Sequence, residues 1–175
     1  DLRTLDLFEA GDLAFSPDGK QLGFVGLGPD GKADVYVMDL TAADRAKSTR
    51  RVTNDFYAER SLSWGKDGLL MSCDRTPGGH FNLFLLDPQS GSARQLSSEA
   101  ANHDGPSLGT DGSILYTSYA SGKSNVFRLT GTKLERITDT HTGLFEPREV
   151  PSGLLVRKFF RGRFRLYKAN REDLK

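Results

Sequence analysis

Chemistry in this chain could reside in three histidines, one cysteine and a few acid-bearing loops. His80, His103 and His141 stand 23 and 38 residues apart. That spacing matches no metal-ligand pattern such as His-Glu-x-x-His, where one helical turn brings two imidazoles together. No nucleophile elbow of the Gly-x-Ser-x-Gly kind is expected, nor a glycine loop that could cradle phosphate ahead of a helix. Gly28-Pro29-Asp30-Gly31-Lys32-Ala33-Asp34 offers two acids and tight turns but lacks the ligand series of a calcium loop. His103-Asp104 invites a dyad, yet adjacent residues on an extended chain point apart. Thr138-Asp139-Thr140-His141 is no stronger a candidate. Cys73, alone in an apolar stretch, reads as a small buried hydrophobe, and a single cysteine excludes an internal disulfide framework. No metal, no cofactor and no enzymatic activity are expected within these 175 residues.

The elements that must position any functional residue repeat along the chain. Phe15-Ser16-Pro17-Asp18-Gly19-Lys20-Gln21-Leu22-Gly23-Phe24-Val25 reads as a strand end, a tight turn and a second strand. The turn recurs as Lys66-Asp67-Gly68, Thr110-Asp111-Gly112 and, degraded, Pro151-Ser152-Gly153. Asp18, Asp67, Asp111 and Ser152 are separated by 49, 44 and 41 residues. A third strand recurs as Asp34-Val35-Tyr36-Val37-Met38-Asp39, Asn82-Leu83-Phe84-Leu85-Leu86-Asp87, Asn125-Val126-Phe127-Arg128-Leu129 and Arg165-Leu166-Tyr167-Lys168-Ala169-Asn170. A short fourth recurs as Arg51-Val52-Thr53, Arg94-Gln95-Leu96-Ser97 and Arg136-Ile137-Thr138. Four strands at this period form a β-propeller blade, so the expected fold is all-β, with four blade units of antiparallel strands.

The units are expected at about residues 12–54, 61–98, 104–138 and 145–170, within one propeller domain or portion of one. Residues 1–6 resemble the fourth strand and are expected to be the outer strand of a preceding or closing blade. The loop Thr41–Lys47 is expected to be a solvated excursion with at most a helical turn. Trp64 and Phe15 occupy one repeat position, with Leu108 in unit three, and should fill the wedges between blades. Net charge is +1, which gives no global electrostatic case for nucleic acid. The last unit is basic, with nine Arg or Lys against three Asp or Glu from Arg148 to Lys175. Such a run reads as a solvated outer face, or as contact for an acidic partner. No stretch reads as a signal peptide or is apolar enough to span a bilayer. The chain starts at Asp1 rather than at methionine, so an upstream segment is expected.

The first unit, with Phe-Ser-Pro-Asp-Gly-Lys-Gln-Leu-Gly-Phe-Val, Asp-Val-Tyr-Val-Met-Asp-Leu and Arg-Val-Thr-Asn, resembles the repeat of TolB-like propellers. Repeats of the prolyl oligopeptidase family propellers are similar. The first resemblance implies a non-enzymatic scaffold that binds envelope or lipoprotein-like protein partners in a Gram-negative periplasm. The second implies a propeller that gates a serine hydrolase, with the catalytic residues on a separate domain. TolB-like propellers have six blades, which favours this chain being a portion. Pairing of residues 1–6 with 165–170 would instead close a four-blade ring.

One face of a propeller gathers the second-to-third strand loops with the connections between blades. Here those connections mix acids, His or Asn, and aromatics, whereas the opposite turns are small and polar. Loops held on a rigid scaffold are where binding is concentrated. The candidates for partner contact are Phe56, Tyr57, Glu59, His103, Asp104, His141 and Glu146. The competing reading makes Phe56, Tyr57 and Phe145 covers for the blade core.

Overall fold

The computed structural model describes residues 2–170. Blade 1 consists of β1 (Glu9–Phe15), β2 (Gln21–Leu27), β3 (Ala33–Asp39) and β4 (Arg50–Arg51). Blade 2 holds β5 (Glu59–Gly65), β6 (Gly68–Cys73), β7 (Asn82–Leu86) and β8 (Ala93–Gln95). Blade 3 holds β9 (His103–Leu108), β10 (Ile114–Ser118), β11 (Asn125–Thr130) and β12 (Lys133–Arg136). Blade 4 has three strands, β13 (Leu144–Val150), β14 (Gly153–Phe160) and β15 (Arg163–Asn170). Strand order in every sheet follows chain order, and all pairing is antiparallel. The inner strands β1, β5, β9 and β13 pack against one another in succession.

The Asp-Gly turns are of two kinds. Asp18 accepts from Lys20 N (3.0 Å) and from Ser16 Oγ (2.6 Å), with Gly19 at φ 70°. Asp111 repeats this with the backbone and hydroxyl of Ser113 and with Gly112 at φ 82°. The other two are tighter, since Gly65 pairs with Gly68 and Val150 with Gly153 across two-residue loops.

Side chains alternate across each sheet, and three apolar cores lie between successive blades. Val35, Val37 and Trp64 meet Leu62, Leu69, Met71 and Phe84 between blades 1 and 2. Leu83 meets Tyr116 and Leu129 between blades 2 and 3, and Leu115 and Val126 meet Leu154 and Val156 between blades 3 and 4. β6 is buried at every residue because it has a neighbouring sheet on both sides. Cys73 lies in it, fully buried, with its thiol pushed up to about 11 by burial.

Two expectations need correction. Leu2–Leu5 is a turn of 3-10 helix, not an outer strand. The chain folds back so that Leu5 and Leu7 cover Phe24 and Tyr36 on the free face of blade 1. β15 is an edge strand, so no exchange between the termini closes a four-blade ring among the described residues. Phe15 is also not a wedge residue here: it is 63% exposed, with no blade packed against it among the described residues. Over Thr41–Lys47 a single helical turn, α1 (Arg45–Ser48), is capped by Asp44 and buries no residue.

A feature that the repeat pattern does not announce is a β-bulge at the same place in every inner strand. Ladder pairing shifts at residues 12–13, 61–62, 105–106 and 146–147. The first residue of each bulge is left-handed: Asp12 (φ 51°), Ser61 (57°), Gly105 (59°) and Glu146 (52°). Such a bulge bends the strand and increases its twist, which suits a strand that must lean around a central axis. A Cβ on Gly105 would lie 3.0 Å from Glu146 Cα, so neighbouring inner strands touch here through their backbones. Gly105→Ala therefore meets both a backbone clash and left-handed strain and is expected to lose about 2 kcal/mol of stability. Asp12→Gly, at an exposed bulge, should stay within about 1 kcal/mol of the natural chain. Guanidinium melts of the two variants check this.

Candidate functional site

Each connection between blades begins with a hydroxyl that receives a backbone N–H of the third strand. Val35 N donates to Thr53 Oγ1 (2.9 Å), Leu83 N to Ser97 Oγ (3.0 Å) and Val126 N to Thr138 Oγ1 (2.9 Å). The residue before each donor is a buried Asp or Asn that also grips the connection. Asp34 accepts from Asp55 N (3.2 Å), Asn82 donates to Glu99 O (3.1 Å), and Asn125 accepts from Thr140 N (3.0 Å). Arg51 anchors Asp34 from the fourth strand while reaching Asp30 at 2.8 Å. These bonds fix the backbone of the connections and so place their side chains on one rigid connector face.

The seven candidate residues fall into distinct settings. Phe56 is 91% exposed, with Lys32 Nζ 4.4 Å from its ring centroid. Tyr57 beside it is half-exposed under the Arg75 guanidinium, which pairs with Asp55. A hollow of about 180 Å³ opens between them and Lys32. Asp104 is half-buried, accepts from Ser61 Oγ (2.6 Å) and lies 3.3 Å from Arg60, whose guanidinium stacks 3.6 Å over Phe81. His141 is exposed, and Glu146, also exposed, pairs with Arg157. Glu59 and His103 are 4% and 1% exposed, so their side chains do not belong to the outer surface. The fold thus brings Phe56 and Tyr57 together and leaves the histidines in separate connections.

Sequence reasoning missed the partners of these groups. Tyr119, Phe145, Phe164 and Phe159 form a chain of rings with centroids 6.4, 5.4 and 5.3 Å apart, and Arg157 lies over Phe164. With Lys32–Phe56, Arg75–Tyr57 and Arg60–Phe81, an aromatic ring capped by a cation recurs from blade to blade. The available signal was a basic residue in the second-to-third loops of blades 1 and 2, Lys32 and Arg75, with two aromatics in the connection between those blades.

Two buried titratable groups occupy the same register position, the first residue of β5 and of β9. Burial, reinforced by Asp55 and Asp34, pushes the Glu59 carboxyl up to about 8, and neither of its oxygens has a hydrogen-bond partner. Burial holds the His103 imidazole below the ordinary histidine range. Ser97 Oγ donates to Asn82 Oδ1 (2.9 Å), His103 Nδ1 is hydrogen-bonded with the same Ser97 Oγ (2.9 Å), and Nε2 lies 3.6 Å from Glu99 Oε2. His103 therefore braces blade 3 against blade 2 and forms no dyad with Asp104. Gly105-Pro106-Ser107-Leu108-Gly109 does fit the letters of Gly-x-Ser-x-Gly, which corrects the sequence reading. Ser107, however, lies within β9, is buried, and donates its hydroxyl to Pro147 O (2.6 Å). Among the described residues no cluster of His, Cys, Asp or Glu is poised to hold a metal ion, and no helix is long and apolar enough to cross a membrane.

No family model matches the chain. An uncharacterised protein of Agrobacterium fabrum is 26% identical over 145 residues, which cover 81% of this chain and 48% of that protein. The chain thus spans about half the length of this curated relative. Among solved structures, a putative TolB from Agrobacterium tumefaciens superposes with a TM-score of 0.79 at 21% identity, over 95% of this chain and 64% of that one. A puromycin hydrolase superposes with a TM-score of 0.72 at 19% identity, over 87% of this chain and 25% of that one. The fold is that of TolB-type propeller blades, shared with the propellers of such hydrolases.

The raised Glu59 carboxyl makes stability depend on pH. Between the ordinary 4.5 and about 8 the folded chain holds a proton that the unfolded chain has released. Stability therefore falls as pH rises through that window, by roughly 1.4 kcal/mol per unit at most. Glu59→Gln removes this slope, and urea melts at about pH 5, 6.5 and 8 should show the variant gaining on the natural chain as pH rises. Parallel stability curves would show that Glu59 ionises freely in the fold.

Proposed function

We propose that this chain is part of a non-enzymatic β-propeller scaffold of the TolB-like type, which binds a protein partner through its connector face in the cell envelope. The observation that carries this reading is the pair of exposed rings Phe56 and Tyr57, each beside a cation, on a connection fixed by hydrogen bonds to Asp34 and Asp74. Phe56 is the sharpest case: a large apolar ring left in solvent on a backbone that is fixed at both ends. Exposed rings ringed by polar groups have the composition of interface hot spots. Arg161 and Arg163, exposed at the turn between β14 and β15, add a local basic patch suited to an acidic partner. The likeness to a putative TolB over nearly the whole chain supports the envelope assignment.

The likeness to a puromycin hydrolase supports a second reading. The chain would then be part of a propeller that gates a serine hydrolase whose catalytic domain lies outside these residues. A flanking Ser, Asp and His triad in the full-length reading frame decides for this alternative, and a small N-terminal α/β domain decides for the first.

Binding is tested by titrating acidic envelope lipoproteins as partners, with a melting curve for every variant. Phe56→Ala and Tyr57→Ala should each weaken binding by about 2 kcal/mol, roughly thirtyfold, with little change in stability. His103→Ala, buried under the connector face, should instead lower stability. Lys20→Ala on the opposite face should change neither. Loss of binding in Lys20→Ala, with normal binding in the two aromatic variants, would place the contact on the other face.

A further inference from the structure

The four inner strands end in equivalent residues that differ from one another, and in blades 2 to 4 that residue stands at the gap to the preceding blade. Phe15 pairs with Leu22, Trp64 with Leu69, Leu108 with Ile114 and Glu149 with Leu154, which makes them equivalent. Trp64 fills the gap between blades 1 and 2, with its ring 3.3 Å from the place of a Cβ on Gly23. Glu149 fills the gap between blades 3 and 4, accepting from Thr110 N (2.6 Å) and meeting Arg128 at 3.3 Å. Between blades 2 and 3 the position is Leu108, which rests on Gly65 and remains 40% exposed. The opposing wall carries Leu85, where blade 3 carries Arg128. Neither an indole nor an ion pair closes this gap, and a cleft of about 640 Å³ remains. That is within the size range of ligand sites, roughly 300–1,000 Å³.

The floor of the cleft is apolar, made by Leu70, Leu85, Leu96, Leu108 and Ile114. Its rim carries two exposed cations, Lys66 and Arg94, with no ionic partner among the described residues. Of the two rim acids, Asp111 is engaged by Ser113 and lies 3.9 Å from Arg128, and Asp67 sits in the hairpin turn beside Lys66. The preceding gap, between blades 1 and 2, holds an indole at the equivalent position. We propose that the cleft between blades 2 and 3 binds a short segment of a protein partner in which an aromatic residue is flanked by Asp or Glu. The ring rests on the leucine floor of the open cleft, and the flanking carboxylates reach Lys66 and Arg94. This shares with the proposed function the premise of a protein partner, but the site lies on the face of the inner-to-second turns, opposite the connector face.

The probe is acetyl-Glu-Trp-Asp-amide, titrated calorimetrically into the whole chain. Acetyl-Glu-Ala-Asp-amide should bind at least about tenfold more weakly, since ring burial supplies most of the affinity. Acetyl-Gln-Trp-Asn-amide should bind about fivefold more weakly. Leu108→Trp rebuilds the filled wedge and should reduce binding at least about tenfold. Arg94→Gln and Lys66→Gln, both surface changes, should each cost a few-fold for the acidic peptide and nothing for the neutral one. Tyr57→Ala should bind the probe as the natural chain does, which separates this site from the connector face. Full binding by Leu108→Trp would overturn the proposal. So would equal loss of both peptides in the Arg94 and Lys66 variants, or free N-acetyl-tryptophan binding as tightly as the peptide.

Discussion

A sheet that is apolar on both faces cannot stand alone, and this constraint governs the molecule. β6, buried at every position, is stable only with blade 1 on one side and blade 3 on the other. Hydrophobic burial of this kind is non-directional. What gives it a direction is the connection that leaves each outer strand, bonded at once by a hydroxyl and a buried Asp or Asn. Those bonds deliver the chain to the next inner strand at a constant height, so that each apolar face meets the next. The end blades show the constraint unrelieved. Leu5 and Leu7 fold over part of the free face of blade 1, while Phe164 and Leu166 of blade 4 stay exposed.

The same bonds explain why the connector face can present aromatic rings at low entropic cost. Asp34, Asn82 and Asn125 tie down loops that would otherwise be mobile, and guanidinium groups then lie against the rings. An exposed ring on a fixed backbone loses less freedom on binding than one on a flexible loop. The buried pair Glu59 and His103 belongs to this support. Both sit at the start of an inner strand and both are held neutral by burial, so the connector face rests on groups that resist ionisation.

Most of the architecture was legible in the sequence because its signal is periodic. The Pro17-Asp18-Gly19 turn, the third strands beginning at Asp34, Asn82 and Asn125, and the outer strands ending in Thr53, Ser97 and Thr138 each recur, and recurrence outweighs the weakness of any single motif. What escaped was whatever depends on a neighbour. Leu2-Arg3-Thr4-Leu5 has the composition of an outer strand, but no sheet edge lies beside it, and Leu5, with Leu7 after it, went to the nearest uncovered apolar face. The bulges escaped because Ser61 and Glu146 rarely adopt a left-handed backbone and a lone Asp12 is too weak a signal for one. At the candidate site, exposure of Phe56 followed from its loop, whereas burial of His103 came from Ser97 of the preceding blade and Tyr116 of the paired strand. No local pattern could have supplied that.

The gaps between blades, finally, bear on how such a chain can evolve. Repeats this similar invite recombination, in which one unit is copied over another or moved along the gene. The occupants of the gaps work against it. Trp64 needs the missing side chain of Gly23, Glu149 needs Arg128, and Leu108 needs the bare backbone of Gly65. Each junction is matched to one neighbour, so a shuffled copy would deprive the indole of the glycine beneath it or strand a carboxylate without its guanidinium. The repeats share an architecture but not an address, and their order along the chain is thereby locked.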